Sequence, residues 1–577
     1  MLNCTIVFVV AFDSTDPYAE SPTWTQIEND ILYFKTKRGR VHENDRMEPG
    51  TARICLNNSS GNYWPGNSGG PYYGKLTVNK QVWLKVVYSG TTYHIFRGLV
   101  DKWEAEWRGR GGKAPVMWVN CVEMMAQFSQ NDQRNGDPSG FSGYAEENSG
   151  VRVGHVLDTI HPSGTWPAGL KDIPVYPGDG KGGTQTIIAE SAPAATESFN
   201  PINHLYEVEE AEQGLLFTSG EGKITFYGRE ALVRSFGTSQ ATFSNNPGVG
   251  EYRFDSVAFS EDRVGFYNAV RSVRKNGTTI NEAIDAASIT AGQPRQTQEN
   301  QGLVLKNDFN AMLHAVYKLA RQSPPKMRIR ALRLSDASSV FPAALLEIPN
   351  RVSVEISDAY VDAQYHIQGI EHECDLIKPK WETVLQLRPL DKLWQLQSSA
   401  MAAAKKTGSW IGGYAAVHDA ANADSIEATV DVHNSGGGVL DFMVERGVLW
   451  FDLTPVVAAS VTRAQLWYRC SAKSSPVADF SLVIVPAIGV SNPLVLSDYG
   501  LLKTKTTSYG SKLNSETVVG WNCIEINATG LAYLWACTGG ICELGLRIDG
   551  DISNNAPTEQ NYQTVMGPYA VLVLTVA

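Results

Sequence analysis

The chain of 577 residues has no CxxC pair, and its eight cysteines (4, 55, 121, 374, 470, 523, 537 and 542) are scattered. A small secreted domain built on disulfides has a denser framework. The cysteines are therefore expected to be reduced and mostly buried, with Cys537 and Cys542 the pair near enough to watch. Long apolar runs are missing too. The run from Ile6 to Phe12 is too short to span a bilayer and lacks a basic leader and a small-residue cleavage site. It reads as a first buried strand, with a signal peptide as the alternative. Clustered Lys and Arg, which an open grip on nucleic acid needs, are scarce, and the net charge is −11. Long helical runs are few, whereas Gly (52), Tyr (23) and Trp (14) are plentiful. With 43% hydrophobic and 19% charged residues, this is the profile of a folded, soluble chain. It predicts β-rich domains with many turns, about four of them at this length.

Catalytic constellations are scarce as well. Gly66-Asn67-Ser68-Gly69-Gly70-Pro71 is one letter from the nucleophile loop of trypsin-like proteases. A serine nucleophile needs a histidine base and an orienting carboxylate. Only His42 lies upstream, in Arg40-Val41-His42-Glu43-Asn44, and the 67 preceding residues are too few for that framework. Gly, Asn and Pro also mark ordinary turns, so Ser68 is expected in a turn. Glu207, Glu209, Glu210 and Glu212 are expected on the solvent face of a helix. In His366–Asp375, His366 and His372 would lie about 20 Å apart along a strand. His372 and Cys374 lack a third ligand, so a structural strand is expected there. No catalytic, cofactor-binding or metal residue is assigned, and no enzymatic activity or cofactor is expected.

Strand-like runs fill the chain to about Ser129, with a hairpin turn at Tyr88-Ser89-Gly90-Thr91. The basic run Lys35–Arg40 reads as a solvated hairpin face. Asn131–Gly150 reads as a loop. "GVRVGHVLDTI" and "PINHLYEVEEAEQG" read as helices, the second capped by Gly214, and a hairpin turns at Ser219–Gly222. Phe309, Met312, Leu313, Val316 and Leu319 recur at helical spacing, with Asp308 at the start and Pro324-Pro325 as the stop. Met312 is expected on the apolar face and His314 off it. The segments beginning Tyr93-His94-Ile95 and Tyr365-His366-Ile367 form a weak repeat, which suggests two similar β-domains flanking an insertion. Gln395–Ser425, rich in small residues, reads as a connector.

Trp24, Arg38-Gly39-Arg40, Gly50-Thr51-Ala52, Asn57-Asn58, Tyr63, Pro65 and Phe96-Arg97-Gly98-Leu99-Val100 follow one another in an order that resembles the N-terminal domain of minor tail proteins of long-tailed phages. "EAEQGLLFTSGEGKITFYGRE" and "HIQGIEHECDLIKPKWETVLQLRP" are similar to later segments of that family. The resemblance implies a structural baseplate hub (tail-tip) protein with two tube-like β-barrels per chain. Such a hub is a homotrimer that forms a pseudo-sixfold ring and adapts the sixfold tube to a threefold tip. The implied partners are distal tail, tail tube, and central fibre or tip proteins, with phage DNA passing without specific binding. The implied place is the virion, at the distal end of the tail, after assembly in the bacterial host cytoplasm. The alternatives are a hexameric distal tail protein and a secreted glycan-active enzyme with a binding module.

"RGVLWFDLTPVVAASVTRAQLWYRC", "WNCIEINATGLAYLW" and "CELGLRIDGD" look like jelly-roll modules of glycan-active proteins. That resemblance implies carbohydrate binding through exposed aromatics, with Trp450, Trp467, Tyr468, Trp521 and Trp535 as candidates and at most one or two exposed. Asp452 and Asp549 are of a type that holds calcium. The expected fold is mainly β with α+β insertions. It comprises a tube-like β-barrel over 1–130, an α+β region over 150–250 and a second tube-like barrel over 251–395 with an inserted helix at 308–322. A linker over 396–425 and a β-sandwich (jelly roll) over 426–577 complete it.

Overall fold

Alternation of inward and outward side chains makes the first region a sheet. The computed structural model describes residues 4–42, 45–107, 115–130, 143–173, 185–191, 199–234, 238–261, 265–323, 327–335, 340–341, 343, 346–390, 393–408, 413–428, 430–437, 440–456, 458–557 and 559–576. Strands β1 (Thr5–Val10), β2 (Ile31–Gly39), β3 (Thr51–Asn57), β4 (Gln81–Tyr88), β5 (Thr91–Glu106) and β6 (Val116–Val122) run antiparallel in the order β1-β4-β5-β6-β3-β2. In β2, Phe34, Thr36 and Arg38 are buried while Lys35 and Lys37 are exposed, the period of two of a half-buried strand. β4 and β5 meet through Ser89 (φ +48°) and Gly90 (φ +81°). Two positive φ values suit the two-residue turn the sequence predicts.

The insertion carries α1 (Ser149–Ile160), α2 (Pro201–Glu212) and a hairpin of β7 (Leu215–Thr218) and β8 (Ile224–Tyr227). Asn200 caps α2, its Oδ1 accepting from Ile202 N, and Pro201 takes the first helical position. The helix ends at Gln213 in the left-handed conformation (φ +55°), one residue before the expected Gly214. Gly214 is demanded by space instead, because a Cβ there would lie 2.5 Å from Tyr227 O. Next come β9 (Ala269–Arg274), β10 (Asn281–Ile284) and β11 (Thr297–Leu303), then α3 (Asp308–Gln322), which covers the residues whose spacing predicts a helix. Met312, Ala315, Val316 and Leu319 of α3 share a core with Val270 and Ala283. His314 is buried rather than off the apolar face. Its Nε2 donates to Glu210 O at 3.1 Å, and its Nδ1 accepts from Ser272 Oγ at 2.9 Å. Pro324 and Pro325 lie outside the described residues.

Strands β12 (Met327–Leu334), β13 (Arg351–Ile356), β14 (Val361–Asp375) and β15 (Lys380–Pro389) return to the first sheet. β14 pairs with β13 and β15 and, from Gly369 to Asp375, with β2. The segments on either side of the insertion therefore form one continuous sheet over one core, with Phe8, Phe34, Ile54 and Leu84 packed in the same cluster as Val352, Ile367 and Leu385. Two glycines permit the seam. A Cβ on Gly39 (φ +80°) would lie 2.2 Å from Gln368 O, and one on Gly369 would lie 2.5 Å from Arg40 O.

The linker expected over 396–425 is a correction. β16 (Leu393–Gly408) is a strand: residues 393–397 pair with the last strand and residues 398–408 with Phe442–Phe451. Small residues there let the strand lie closely between neighbours rather than loosen it. β17 (Val430–Gly437), β18 (Leu440–Asp452), β19 (Val461–Lys473), β20 (Ser481–Pro486), β21 (Gly520–Glu525), α4 (Ala528–Ala536), β22 (Ile541–Ile548) and β23 (Gln560–Val576) follow. All strand pairings among them are antiparallel. Leu449, Phe451, Leu466, Ile484, Leu544 and Leu572 fill their core. The fold is mainly β with α+β insertions.

Candidate functional site

The outer face of the large sheet carries paired charges. Lys35 Nζ lies 3.0 Å from Glu373, Lys37 3.9 Å from Glu371 and Lys102 3.2 Å from Glu104, while Glu382 is shared by Lys380 and, at 3.8 Å, Arg333. Arg53 lies 4.2 Å over the Trp118 ring, whose Nε1 donates to Glu106 at 3.0 Å. Between these groups is a concavity of 580 Å³ lined by Tyr33, Lys35, Lys37, Arg53, Asp101 and Trp118. The Lys35 ammonium holds the Glu373 carboxyl below its usual range. Exposed pairs of this kind contribute about 0–1 kcal/mol each. Among the described residues, Lys35, Lys37, Lys102 and Lys380 each have a carboxylate beside them on this face.

The basic run departs from its expectation at Arg38. This side chain is 3% exposed, with Nη1 donating to Glu347 at 2.8 Å and to Thr218 O at 3.3 Å. Ser68 is exposed, in a chain of turns made by Gly61 N, Trp64 N, Asn67 N and Gly70 N, each donating to the carbonyl three residues earlier. Tyr63 anchors this loop, donating from its hydroxyl to Asp30 at 2.6 Å.

The acids of α2 are the second departure from expectation. Glu212 is fully buried, accepting from Ser149 Oγ and Gln185 N at 2.8 Å and Arg229 N at 3.3 Å. Glu209, also buried, accepts from Leu216 N at 3.1 Å. Burial pushes its carboxyl up to about 7. They staple the helix to the backbone around it, while Glu207 and Glu210 stay half exposed. His366 and His372 are buried inside the sheet, their Nδ1 atoms bonded to Pro349 O and Thr383 Oγ1 at 2.9 Å each.

Of the five candidate glycan-contacting aromatics, Trp450, Trp467 and Tyr468 are core residues, at most 2% exposed. Their strands are covered on the faces they occupy, so they offer no surface to a sugar. Trp521 is half-buried and stacks on Phe309 at 5.8 Å. With Trp467, Val571 and Val573 it joins the C-terminal strands to α3, so residues 426–577 share a core with the insertion rather than standing apart. Trp535, in the last turn of α4, is 50% exposed. Asp452 accepts from Thr454 N at 2.9 Å, while Asp549 accepts from Ser481 N at 3.0 Å and Gly550 N at 2.8 Å. The two do not converge on a common ion among the described residues. Cys537 and Cys542 are free thiols in contact, and a hydrogen bond to Cys542 lowers the pKa of Cys537.

Sequence reasoning missed Asp431, His433 and Glu445, whose ligand atoms lie within 4.8 Å of one another. The alternation Asp-x-His in "VDVHNS" places two of them on one face of a strand, but the third comes from the next strand.

No protein-family model matches the chain, and no curated protein does. Among solved structures it is similar to a tail protein from Neisseria meningitidis MC58, with 8% identity and a TM-score of 0.44 over 67% of this chain and 96% of that one. It is also similar to the 43 kDa tail protein of prophage MuSo2 from Shewanella oneidensis, with 10% identity and a TM-score of 0.42 over 67% and 98%. A third is an E. coli type VI secretion component described as similar to the T4 tail proteins gp27 and gp5, with 10% identity and a TM-score of 0.34 over 73% and 92%. At these identities and TM-scores the likenesses are remote.

Proposed function

We propose that the chain is a structural baseplate hub (tail-tip) protein of a long-tailed phage, located in the virion at the distal end of the tail. The observation that carries this reading is the pairing of β2 with β14. It joins the strand-rich segments on either side of the insertion into one sheet with a charge-balanced outer face. Two tube-like regions per chain, 1–130 and 251–395, would give six in a trimer and so match a sixfold tube above and a threefold tip below. A face of mutually paired charges suits a passage that DNA slides along without being held. Distal tail, tube and tip proteins are the partners of such a ring. The C-terminal strands form a jelly-roll-like module for a host-surface glycan or a neighbouring tail protein, with Trp535 as its exposed aromatic.

Electron microscopy of the purified chain tests the proposal through rotational symmetry. A threefold ring with a central opening is the expected result. A sixfold ring would replace the hub with a hexameric distal tail protein, and failure to form a ring even with its tail partners would overturn both.

A further inference from the structure

We infer that Asp431, His433 and Glu445 form a binding site for one divalent first-row cation, which clamps β17 to β18. The site follows from strand register. His433 stands directly opposite Glu445 in the β17–β18 ladder, and Asp431 lies two residues before His433, on the same face. Directly opposed side chains start about 5 Å apart, close enough for their ends to converge on one ion.

Burial supplies the second observation. Glu445 is 1% exposed, and its Oε1 is buried without a hydrogen-bond partner. Asp431 Oδ1 is likewise buried without a partner. Two neighbouring carboxylate oxygens lacking donors are costly, since a buried acceptor loses its hydration with nothing in exchange. The nearby charges do not resolve this. Glu427 adds a third acid, and Lys405, opposite Glu445 on β16, is the local cation but makes no ion pair with it among the described residues. A cation at the convergence point would satisfy both orphaned oxygens at once.

The surroundings also orient the imidazole. Tyr562, opposite His433 on β23, stacks on its ring at 4.9 Å with an interplanar angle of 9°, and Ser435 Oγ lies 3.4 Å from Nδ1. A hydroxyl on one ring nitrogen leaves Nε2 for the metal, the usual arrangement for a ligating histidine. One imidazole and two carboxylates without sulfur suit zinc or manganese rather than a soft thiophilic ion. The three ligands leave a coordination position for water.

Untagged full-length protein, stripped with chelator, would be titrated with zinc chloride and with manganese chloride by calorimetry and mass spectrometry of bound metal. X-ray absorption would then identify the ligands. The expected result is one equivalent of cation per chain, bound by one imidazole nitrogen and carboxylate oxygens. Glu445→Gln should weaken binding by about a hundredfold or more, and Asp431→Asn serves if that variant does not fold. The inference is overturned by absence of stoichiometric binding to the stripped chain, by sulfur in the coordination shell, or by binding that survives the folded variant unchanged.

Discussion

Arg38 Nη1 and Glu347 Oε1 lie 2.8 Å apart although 309 residues separate them in the chain. The same carboxylate accepts from Gly220 N at 2.7 Å, and the same guanidinium donates to Thr218 O. One ion pair thus ties β2, the β7–β8 hairpin and the segment before β13 together. Glu347→Ala leaves a buried cation without its main counter-charge. The expected loss is about 2–4 kcal/mol, below the full value for a buried pair because Glu347 is 31% exposed. Urea unfolding measures it, and a loss under about 0.5 kcal/mol would place the pair with ordinary surface bridges.

The glycine seam is tested by comparing two substitutions at similar φ. Gly39→Ala meets both the positive φ and the Gln368 carbonyl, whereas Gly90→Ala, at φ +81°, has nothing within 4 Å of its new Cβ. The second should cost about 1–2 kcal/mol from backbone strain alone, and the first distinctly more, with loss of β2–β14 amide protection in hydrogen exchange. Equal effects would mean that the close approach relaxes freely.

Glu123 links stability to pH. It is fully buried and accepts from Gly50 N at 2.7 Å, and burial pushes its carboxyl from 4.5 up to about 7. A raised carboxyl stabilises the fold most below the unfolded value, and that stability is lost as pH rises through the folded one. Denaturation midpoints should fall between about pH 4.5 and 7, with Glu209 acting in the same direction. Glu123→Gln keeps the acceptor and removes the charge, so it should gain about 1–3 kcal/mol over wild type at pH 8 and little at pH 4.5. A uniform effect across that range would reject the linkage.

Asp551 works in the opposite sense. It accepts from Arg446 at 2.7 and 3.0 Å and from Arg547 at 2.6 Å, all three side chains being at most 1% exposed. Burial alone would raise its carboxyl, but the two guanidiniums outweigh burial and hold it below 3.8. Its contribution is therefore present above that value and is lost as pH falls through the lower folded one. Asp551→Asn should cost about 3–5 kcal/mol at neutral pH and flatten the acid limb of the melting curve. Wild-type acid sensitivity in the variant would contradict this assignment.

Trp535 separates binding from packing. Trp535→Ala should leave the melting temperature nearly unchanged and, if the proposed module takes a glycan, abolish retention on any glycan that retains the wild-type chain. Trp467→Ala opens a cavity at the contact with α3 and should cost about 3–5 kcal/mol. Retention of glycan by folded Trp535→Ala would remove this residue from the proposal.

The helix Asp308–Gln322 and the turns at Ser89-Gly90 and Ser219–Gly222 were legible in the sequence because each depends on neighbours within a few residues: a repeat of apolar positions, or residues that tolerate positive φ. The alternation in β2 revealed a half-buried strand for the same reason. Burial of Glu212, His314 and Arg38 was not legible, since each is satisfied by groups that are remote in sequence or not displayed by a local pattern: Ser149 and Gln185, Ser272, and Glu347. Gln395–Ser425 reads as a connector in the sequence because its small residues carry little local strand preference, yet Leu393–Gly408 is a strand. Its conformation comes from hydrogen bonds to Phe442–Phe451 and Val571–Thr575. Local periodicity thus set which segments could be helix or strand. Long-range register set which faces were covered, because a charge or tryptophan is exposed or buried according to what packs against it.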